Sequence, residues 1–446
     1  MITRRSALAA LSSPLLAQPA SRPNFVFILV DDLRWDSLGS TGLSWMKTPN
    51  IDRIAREGMT FRNAFVTTPL CSPARGSFLT GQYVHHHGVK GNGDSAALSH
   101  QLTTFPALLQ NAGYDTGYIG KWHMGTDDSP RPGMRRWVSF KGQGQYVDPP
   151  LNIDGKQIEA KGYITDILSS HAADFVREKR SKPFCLYVAH KAIHGPFQPA
   201  ERHKDLYKTE PLPTRPNMSD DLAGKTALLR PVEDNRKTAA SQRRHDEIAR
   251  DQLRCLASID DGVGEILKAL EETNQLDNTV VIFTSDNGYF WGEHRLGDKR
   301  WAYEESIRIP LLVRYPKLVG KGVKSEALAL NIDIAPTCLH LAGVEVPKGM
   351  HGRSLKEPLR GNRRTWRTSF VIEYFAEPNF PRAPTWNGIR TARYKYIRYP
   401  ELPGADEMYD LTKDPYEMKN IAADASAKLT RDRLKKELDL ALARTA

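Results

Sequence analysis

Cysteine is scarce, with four in 446 residues, at positions 71, 185, 255 and 338. None falls in a C-x-x-C pair, which argues against a structural zinc site. Cys185 lies in a strand-like run, and Cys255 and Cys338 lie in helix-like runs, as core cysteines do. A disulfide among these three stays open. Long apolar runs are also missing. Beyond the N-terminus no stretch approaches the roughly 20 apolar residues that a membrane helix needs, so no membrane span is expected. Zinc-finger, RNP and leucine-zipper patterns are absent, as are internal repeats and coiled-coil heptads. The net charge of +11, from 63 Lys and Arg against 52 Asp and Glu, therefore has no nucleic-acid motif to serve. It suits an anionic substrate or surface instead.

The first twenty residues read as an export signal: Arg4-Arg5, a short apolar run, then small residues from Ala17 to Ala20. The run is too short to cross a bilayer, and the paired arginines point to the twin-arginine route. A mature protein starting near Ser21, periplasmic or secreted, is expected.

Strand-like and helix-like runs alternate after that. Asn24 to Val30 is continuously hydrophobic and ends in Asp31-Asp32. Tyr114 to Gly120 ends in Lys121-Trp122-His123. Phe184 to Ala189 ends in His190, then Lys191-Ala192-Ile193-His194. Asn278 to Thr284 ends in Ser285-Asp286-Asn287-Gly288. Helical patterns cover Pro49 to Glu57, Thr104 to Asn111, Tyr163 to Glu178 and Asp246 to Glu272. The alternation predicts an α/β fold, a large and mainly parallel sheet sandwiched by helices. Ligands bind at the carboxyl edge of such sheets, and four strands deliver polar or charged residues there. Each cluster alone could be a loop start or a helix cap. Together, with Cys71 following the strand-like run Met59 to Phe65, they predict one site.

Two polar stretches, Thr126 to Ala160 and Glu201 to Arg244, are expected to wall a substrate pocket. The first contains a hairpin-like Asn152 to Lys156. After about Gly349 short antiparallel strands are expected at Ser369 to Phe375, Trp386 to Arg390, Tyr394 to Tyr399 and Glu407 to Leu411. A terminal amphipathic helix over 426–443 carries Leu429, Leu434, Leu438 and Leu440. The expected division is an export signal at 1–20, a catalytic α/β domain at 21–349 and a smaller α+β subdomain at 350–446, an antiparallel sheet plus the terminal helix.

The residue types limit the chemistry. Asp31, Asp32, Asp286 and Asn287 are oxygen donors on two strand ends, half a shell for a hard divalent ion such as calcium. Helix capping by Asp31 and a turn at Asp286-Asn287-Gly288 would be the plainer account. In Cys71-Ser72-Pro73-Ala74-Arg75, a helix would place Cys71 and Arg75 one turn apart on one face, a cysteine beside a fixed positive charge at a positive helix end. Three adjacent histidines, His85 to His87, cannot all point at one ion from a regular element, so a loop at the pocket rim is expected there. Glu293 and His294 are candidates for touching a substrate alcohol.

The pentapeptide, with Thr80-Gly81 following, resembles the C-x-P-x-R signature of the type I sulfatases of the alkaline phosphatase-like superfamily. Gly120-Lys121-Trp122-His123 is similar to that family's G-K-W-H. Lys191 to Pro196, and Gly297-Asp298-Lys299 ahead of Tyr303 to Pro310, are similar to further family segments. The resemblance covers motifs from about Asn24 to Arg314. It implies that Cys71 is oxidised to formylglycine, whose hydrated aldehyde is the nucleophile, and that a formylglycine-generating enzyme is a maturation partner. It implies one calcium ion on Asp31, Asp32, Asp286, Asn287 and the modified Cys71. Lys121 and Lys299 are then the sulfate-binding lysines, with Arg75 beside the nucleophile. His123 contacts the formylglycine hydroxyl and would remove its proton, and His194 is the acid for the leaving alcohol. The implied substrate is a sulfated sugar or polysaccharide, as in bacterial glycosaminoglycan sulfatases. A phosphonate monoester or phosphodiester hydrolase with the same nucleophile, or a non-catalytic carbohydrate-binding relative, is the alternative.

Overall fold

The computed structural model describes residues 22–93, 95–232, 244–362 and 364–446. The export signal expected at 1–20, the start near Ser21 and residues 233–243 of the second polar stretch lie outside them. The strand β1 (Asn24–Val30) is Asn-Phe-Val-Phe-Ile-Leu-Val and is buried throughout. Alternate side chains face opposite sides of a strand, and here both sides are core. Val26, Ile28 and Val30 enter one apolar cluster, and Phe25, Phe27 and Leu29 enter another. Each such side chain contributes about 1.5–3 kcal/mol by leaving water.

The further strands of the large sheet are β2 (Met59–Phe65), β3 (Asp115–Gly120), β4 (Arg136–Ser139), β5 (Pro150–Ile153), β6 (Lys156–Glu159), β7 (Phe184–Ala189) and β8 (Thr279–Ser285). After the short ribbon β9 (Phe290–Trp291) and β10 (Gly297–Asp298), β11 (Leu311–Arg314) and β12 (Val323–Leu330) return to it. The spatial order is β12-β2-β11-β8-β1-β7-β3-β4-β5-β6. The central strands β8, β1, β7, β3 and β4 are parallel. β11 runs antiparallel to both neighbours, and at the far edge β5 runs antiparallel to β4 and β6 to β5. Helices Ile164–Arg177 and His245–Glu272 cover one face, and Cys71–Thr80, Phe105–Asn111 and Ile334–Leu341 cover the other.

A second sheet, β13 (Ser369–Tyr374), β14 (Trp386–Thr391), β15 (Tyr394–Arg398) and β16 (Glu407–Asp410), is antiparallel. Its apolar side chains form a third cluster with Phe65, Trp301, Tyr303 and Leu330 of the large unit and with the terminal helix Lys428–Thr445. The chain does not leave the first core at Gly349. Leu355 and Leu359 still pack beside the large sheet, before the second sheet begins at Ser369.

Three expectations change. The stretch from Thr126 to Ala160 supplies β4, β5 and β6 at one edge of the sheet, and of it only Gln143 lines the large cavity described below. The described part of the second stretch, 201–232, lines none of that cavity and acts as a strap. Arg215 pairs with Glu293, Asn217 bonds Glu305, and Lys225 donates to the Met418 carbonyl. These three polar side chains are spent on partners within the protein and are not presented to a ligand. In the terminal helix only Leu434 and Leu438 are buried, whereas Leu429 is 85% exposed and Leu440 48%.

Candidate active site

Sheet register assembles the site. Leu29 pairs with Ala189, Ala189 with Gly120, and Val30 with Ser285. The residues just beyond this row are Asp31, His190, Lys121 and Asp286, and their backbone N–H groups continue the ladder onto neighbouring carbonyls. The helix Cys71–Thr80 starts at the same edge, with all its residues buried.

The side chains then interlock. Arg75 donates from Nε to Asp286 Oδ2 at 3.0 Å, from Nη2 to Asp31 Oδ2 at 3.2 Å and from Nη1 to the Lys121 carbonyl at 2.6 Å. Lys121 Nζ bonds Asp31 and Gln143. Lys299 Nζ bonds Asp32 and lies 3.1 Å from Cys71 Sγ, and that sulfur is 3.5 Å from Asp31 Oδ1. Asn287 donates through Nδ2 to Asp32 Oδ1 at 2.6 Å. His194 Nε2 stands 3.9 Å from Asp32 Oδ2. His123, at φ 62°, contacts Ser72, whose hydroxyl donates to the His123 carbonyl at 2.5 Å and lies 3.2 Å from its Nδ1. Asp31, Asp32, Cys71, Arg75, Lys121, His123, His194, Asp286, Asn287 and Lys299 are thus in one cluster.

Charge in a dry setting sets the protonation states. Burial raises Asp31, but Lys121, His194, Arg75 and Lys299 outweigh it and hold the carboxyl well below its ordinary value. Burial pushes Asp32 up to about 7 against the pull of Lys299, with Asp31 and Asp286 adding to the rise. Burial, then Asp31, raises Asp286 as well. Burial and the Asp31 charge push the Cys71 thiol up to about 12, the reverse of an activated thiolate. His123 and His194 are held well below the ordinary imidazole value, first by burial and then by Lys121.

The donor set fits a hard cation. Oxygens of Asp31, Asp32 and Asp286 lie within 4.8 Å of one another, a costly arrangement without a compensating charge. Asn287 Oδ1 is buried with no hydrogen-bond partner, an acceptor left for something electropositive. Among the described residues the other group close enough to share an ion is Asp31, Cys71 and His194.

His85 to His87 belong to neither group. They form a short helix, not a loop, and of this region the neighbouring Gly88, not the histidines, lines the cavity. His85 bonds Glu373, and His87 lies against Ser77. Glu293 and His294 are also spent elsewhere, Glu293 on Arg34 and Arg215 and His294 on Asp220. The four cysteines are free thiols and all buried.

The cluster opens into a cavity of about 1180 Å³ lined by Asp32, His123, Gln143, His194, Lys299 and Glu377 among others. Two contributors carried little sequence signal. Gln143 sits in a Gly-Gln-Gly-Gln run with no charge to mark it, and Glu377 comes from the C-terminal part of the chain. Ser72 was available inside the pentapeptide but stands between Cys71 and Arg75, whose thiol and charge carry the stronger signal.

A buried cation-ready edge beside a cysteine, faced by two lysines and two neutral imidazoles, defines a hydrolase site for an anionic ester. Residues 23–344 match the sulfatase family, and residues 292–443 match the family described as N-sulphoglucosamine sulphohydrolase, C-terminal. The chain belongs to the sulfatase family, and it is a sulfuric ester hydrolase. It is 34% identical to the N-acetylglucosamine-6-O-sulfatase of Bacteroides thetaiotaomicron, over 93% of this chain and 86% of the relative. It is 32% identical to the human N-acetylglucosamine-6-sulfatase, over 91% and 82%. A solved structure of a protein in complex with its substrate D-glucosamine-2-N,6-O-disulfate superposes with a TM-score of 0.87 at 32% identity, covering 95% of this chain and 98% of that one. Among the described residues no helix is long and apolar enough to cross a membrane.

Proposed function

We propose that this enzyme removes a sulfate ester from a sulfated amino sugar of the 6-O-sulfated glucosamine class, using a formylglycine made from Cys71 and one calcium ion held by Asp31, Asp32, Asp286 and Asn287. The observation that carries this reading is the juxtaposition at Cys71. Its sulfur lies between Asp31 and Lys299, and Lys299, with Asp32, His123 and His194, lines a cavity large enough for a sugar. When present, the hydrated formylglycine supplies a hydroxyl nucleophile, and calcium supplies positive charge toward the sulfuryl oxygens.

The chain's own residues do the rest. Arg75 ties Asp31 to Asp286 and keeps the anionic edge rigid. Lys121 and Lys299 face an incoming sulfate with fixed positive charge. His123, neutral and anchored through Ser72, is suited to take a proton at position 71. His194 is partly open to the cavity, and a bound anion beside it would favour its imidazolium, the form that protonates a leaving alcohol. Residues 21–349 then supply the reacting groups, and 350–446 contribute cavity wall. The protein is matured by a formylglycine-generating partner and exported.

Peptide mass spectrometry of protein expressed with that partner, followed by assay with calcium, tests the proposal. A loss of about 18 Da at Cys71, as expected for aldehyde in place of thiol, with release of sulfate from glucosamine 6-sulfate, supports it. Modified protein that cleaves only galactosamine 4-sulfate, or phosphate diesters, overturns the substrate assignment. Full turnover by protein with unmodified Cys71 overturns the nucleophile.

A further inference from the structure

The helix that carries Cys71 begins without a cap of its own. Leu70 stands at the N-cap and offers no side-chain acceptor. Helix starts leave N–H groups unpaired, and an N-cap side chain commonly accepts from the second or third of them. Here the acceptor arrives from twenty residues away. Asn92 Oδ1 accepts the Ser72 N–H at 3.1 Å, and Ser72 is the second residue of the helix.

Asn92 is itself held from the C-terminal part of the chain. Its backbone N–H donates to Glu377 Oε1 at 2.9 Å. The other Glu377 oxygen accepts from Arg300 Nε at 2.8 Å and from Tyr374 Oη at 3.2 Å. Arg300 directly follows Lys299, and its guanidinium lies 3.2 Å from the Phe380 ring centre. One nearly buried carboxylate therefore braces both sides of position 71, the helix start through Asn92 and the Lys299 segment through Arg300. The brace reaches a third group, because Ser72 is also the residue that holds His123.

We propose that Asn92 and Glu377 are positioning residues for catalysis. Asn92 caps the nucleophile helix from outside, and Glu377 fixes that cap and the Lys299 segment in one frame. Neither touches the reacting atoms in this role. The inference rests on position 71 being the nucleophile. Its physical basis is that a displacement of about 1 Å at a reacting group can cost ~100-fold in rate.

The test uses full-length protein matured with the formylglycine-generating partner, in the variants Asn92→Ala, Asn92→Asp and Glu377→Ala. Rates on glucosamine 6-sulfate are divided by the formylglycine content found by mass spectrometry, which separates lost maturation from lost positioning. In Asn92→Ala and Glu377→Ala, kcat is expected to fall about 10- to 100-fold with KM within about threefold of wild type. Asn92→Asp, which keeps the accepting oxygen, is expected to recover most of kcat. Hydrogen exchange at the Ser72 amide is the second readout: faster in the two alanine variants, unchanged in Asn92→Asp. An Asn92→Ala enzyme with wild-type kcat overturns the proposal, as does loss of kcat that Asn92→Asp does not restore. A Glu377→Ala defect confined to KM makes Glu377 a substrate contact and removes it from the proposal. Wild-type protein that carries formylglycine yet cleaves no sulfate ester refutes the proposed function. The exchange comparison would still show whether Asn92 caps the helix, and unchanged exchange would overturn that too.

Discussion

Two of the buried-charge clusters among the described residues are solved in opposite ways. Under the C-terminal sheet, Glu407 accepts the hydroxyls of Tyr303 at 2.8 Å, Tyr399 at 3.1 Å and Tyr409 at 2.6 Å. Nearby, Glu304 is paired with Arg390 and Lys395. At the carboxyl edge of the large sheet, three carboxylates crowd within 4.8 Å and Asn287 Oδ1 has no partner. Both clusters are dry. Glu407 accepts from three neutral hydroxyls; burial still raises its carboxyl against them, but both its oxygens are taken up by those donors. Asp31, Asp32 and Asp286 are paired with Arg75, Lys121 and Lys299, yet burial and their mutual repulsion still raise Asp32 and Asp286, so a further cation would be welcome there. Burial of charge alone does not mark function. Burial with incomplete compensation, open to a cavity, does.

The largest effect that separates the two clusters is on turnover. Cys71→Ser is expected to lower sulfate release by ~10⁴-fold or more, the scale seen when a nucleophile is removed, with thermal stability little changed. Steady-state rates on glucosamine 6-sulfate check it, and near-wild-type multiple turnover would show that position 71 is not the nucleophile. Next comes metal dependence. Chelation should abolish activity and lower Tm, and calcium at about 100 times its Kd should return ~2.7 kcal/mol of stability. Asp32→Asn should blunt that calcium response, whereas changes at Glu407 should leave it intact. Differential scanning fluorimetry with and without calcium distinguishes the two.

Glu407→Ala acts on the other side of the comparison. It leaves three buried tyrosine hydroxyls unpaired, and the expected cost is about 3–4 kcal/mol of folding stability. The rate per folded, matured molecule should not change. Urea unfolding measures the first and active-site-normalised kcat the second. A large kcat defect would mean that the two clusters are coupled.

The smallest effect is a proton. Burial lowers the His87 pKa to about 3, and the ring packs under the Cys71 helix against Ser77. Between that value and the unfolded pKa of about 6.5, the unfolded chain binds the extra proton, so stability falls as pH falls, by up to ~1.4 kcal/mol per unit. His87→Gln should flatten the stability–pH slope between pH 6 and 4.5 by about one proton. An unchanged slope would show that His87 does not titrate on unfolding.

Much of this site was legible along the chain. Asp31-Asp32, Lys121, His123 and Asp286-Asn287 each follow an apolar strand, and the end of a strand in a parallel sheet is an address in space. The fourfold recurrence of polar residues at such addresses was enough to place them together. Loops gave the weakest reading. In 126–160 and 201–232 the same polar composition serves a cavity wall, a sheet edge or a strap equally well, and only the partners decide. Glu293 and His294 failed for that reason, since Arg34, Arg215 and Asp220 claim them. The terminal helix failed differently. Leu429 and Leu440 fit an apolar periodicity, but the second sheet covers only the stripe through Leu434 and Leu438.

By itself, then, the sequence determined the alternation of strands and helices, the residues at the strand ends and the Cys71 to Arg75 signature, because these depend on local periodicity and spacing. Tertiary structure alone decided that Asp32 sits among carboxylates while Glu407 sits among tyrosines, that Asn287 keeps one oxygen free, and that Asn92 and Glu377 brace the Cys71 helix. Those facts concern contacts between residues tens to hundreds of positions apart. No local pattern encodes them, because the energy that selects them comes from which groups share a dry interior after the chain has closed on itself.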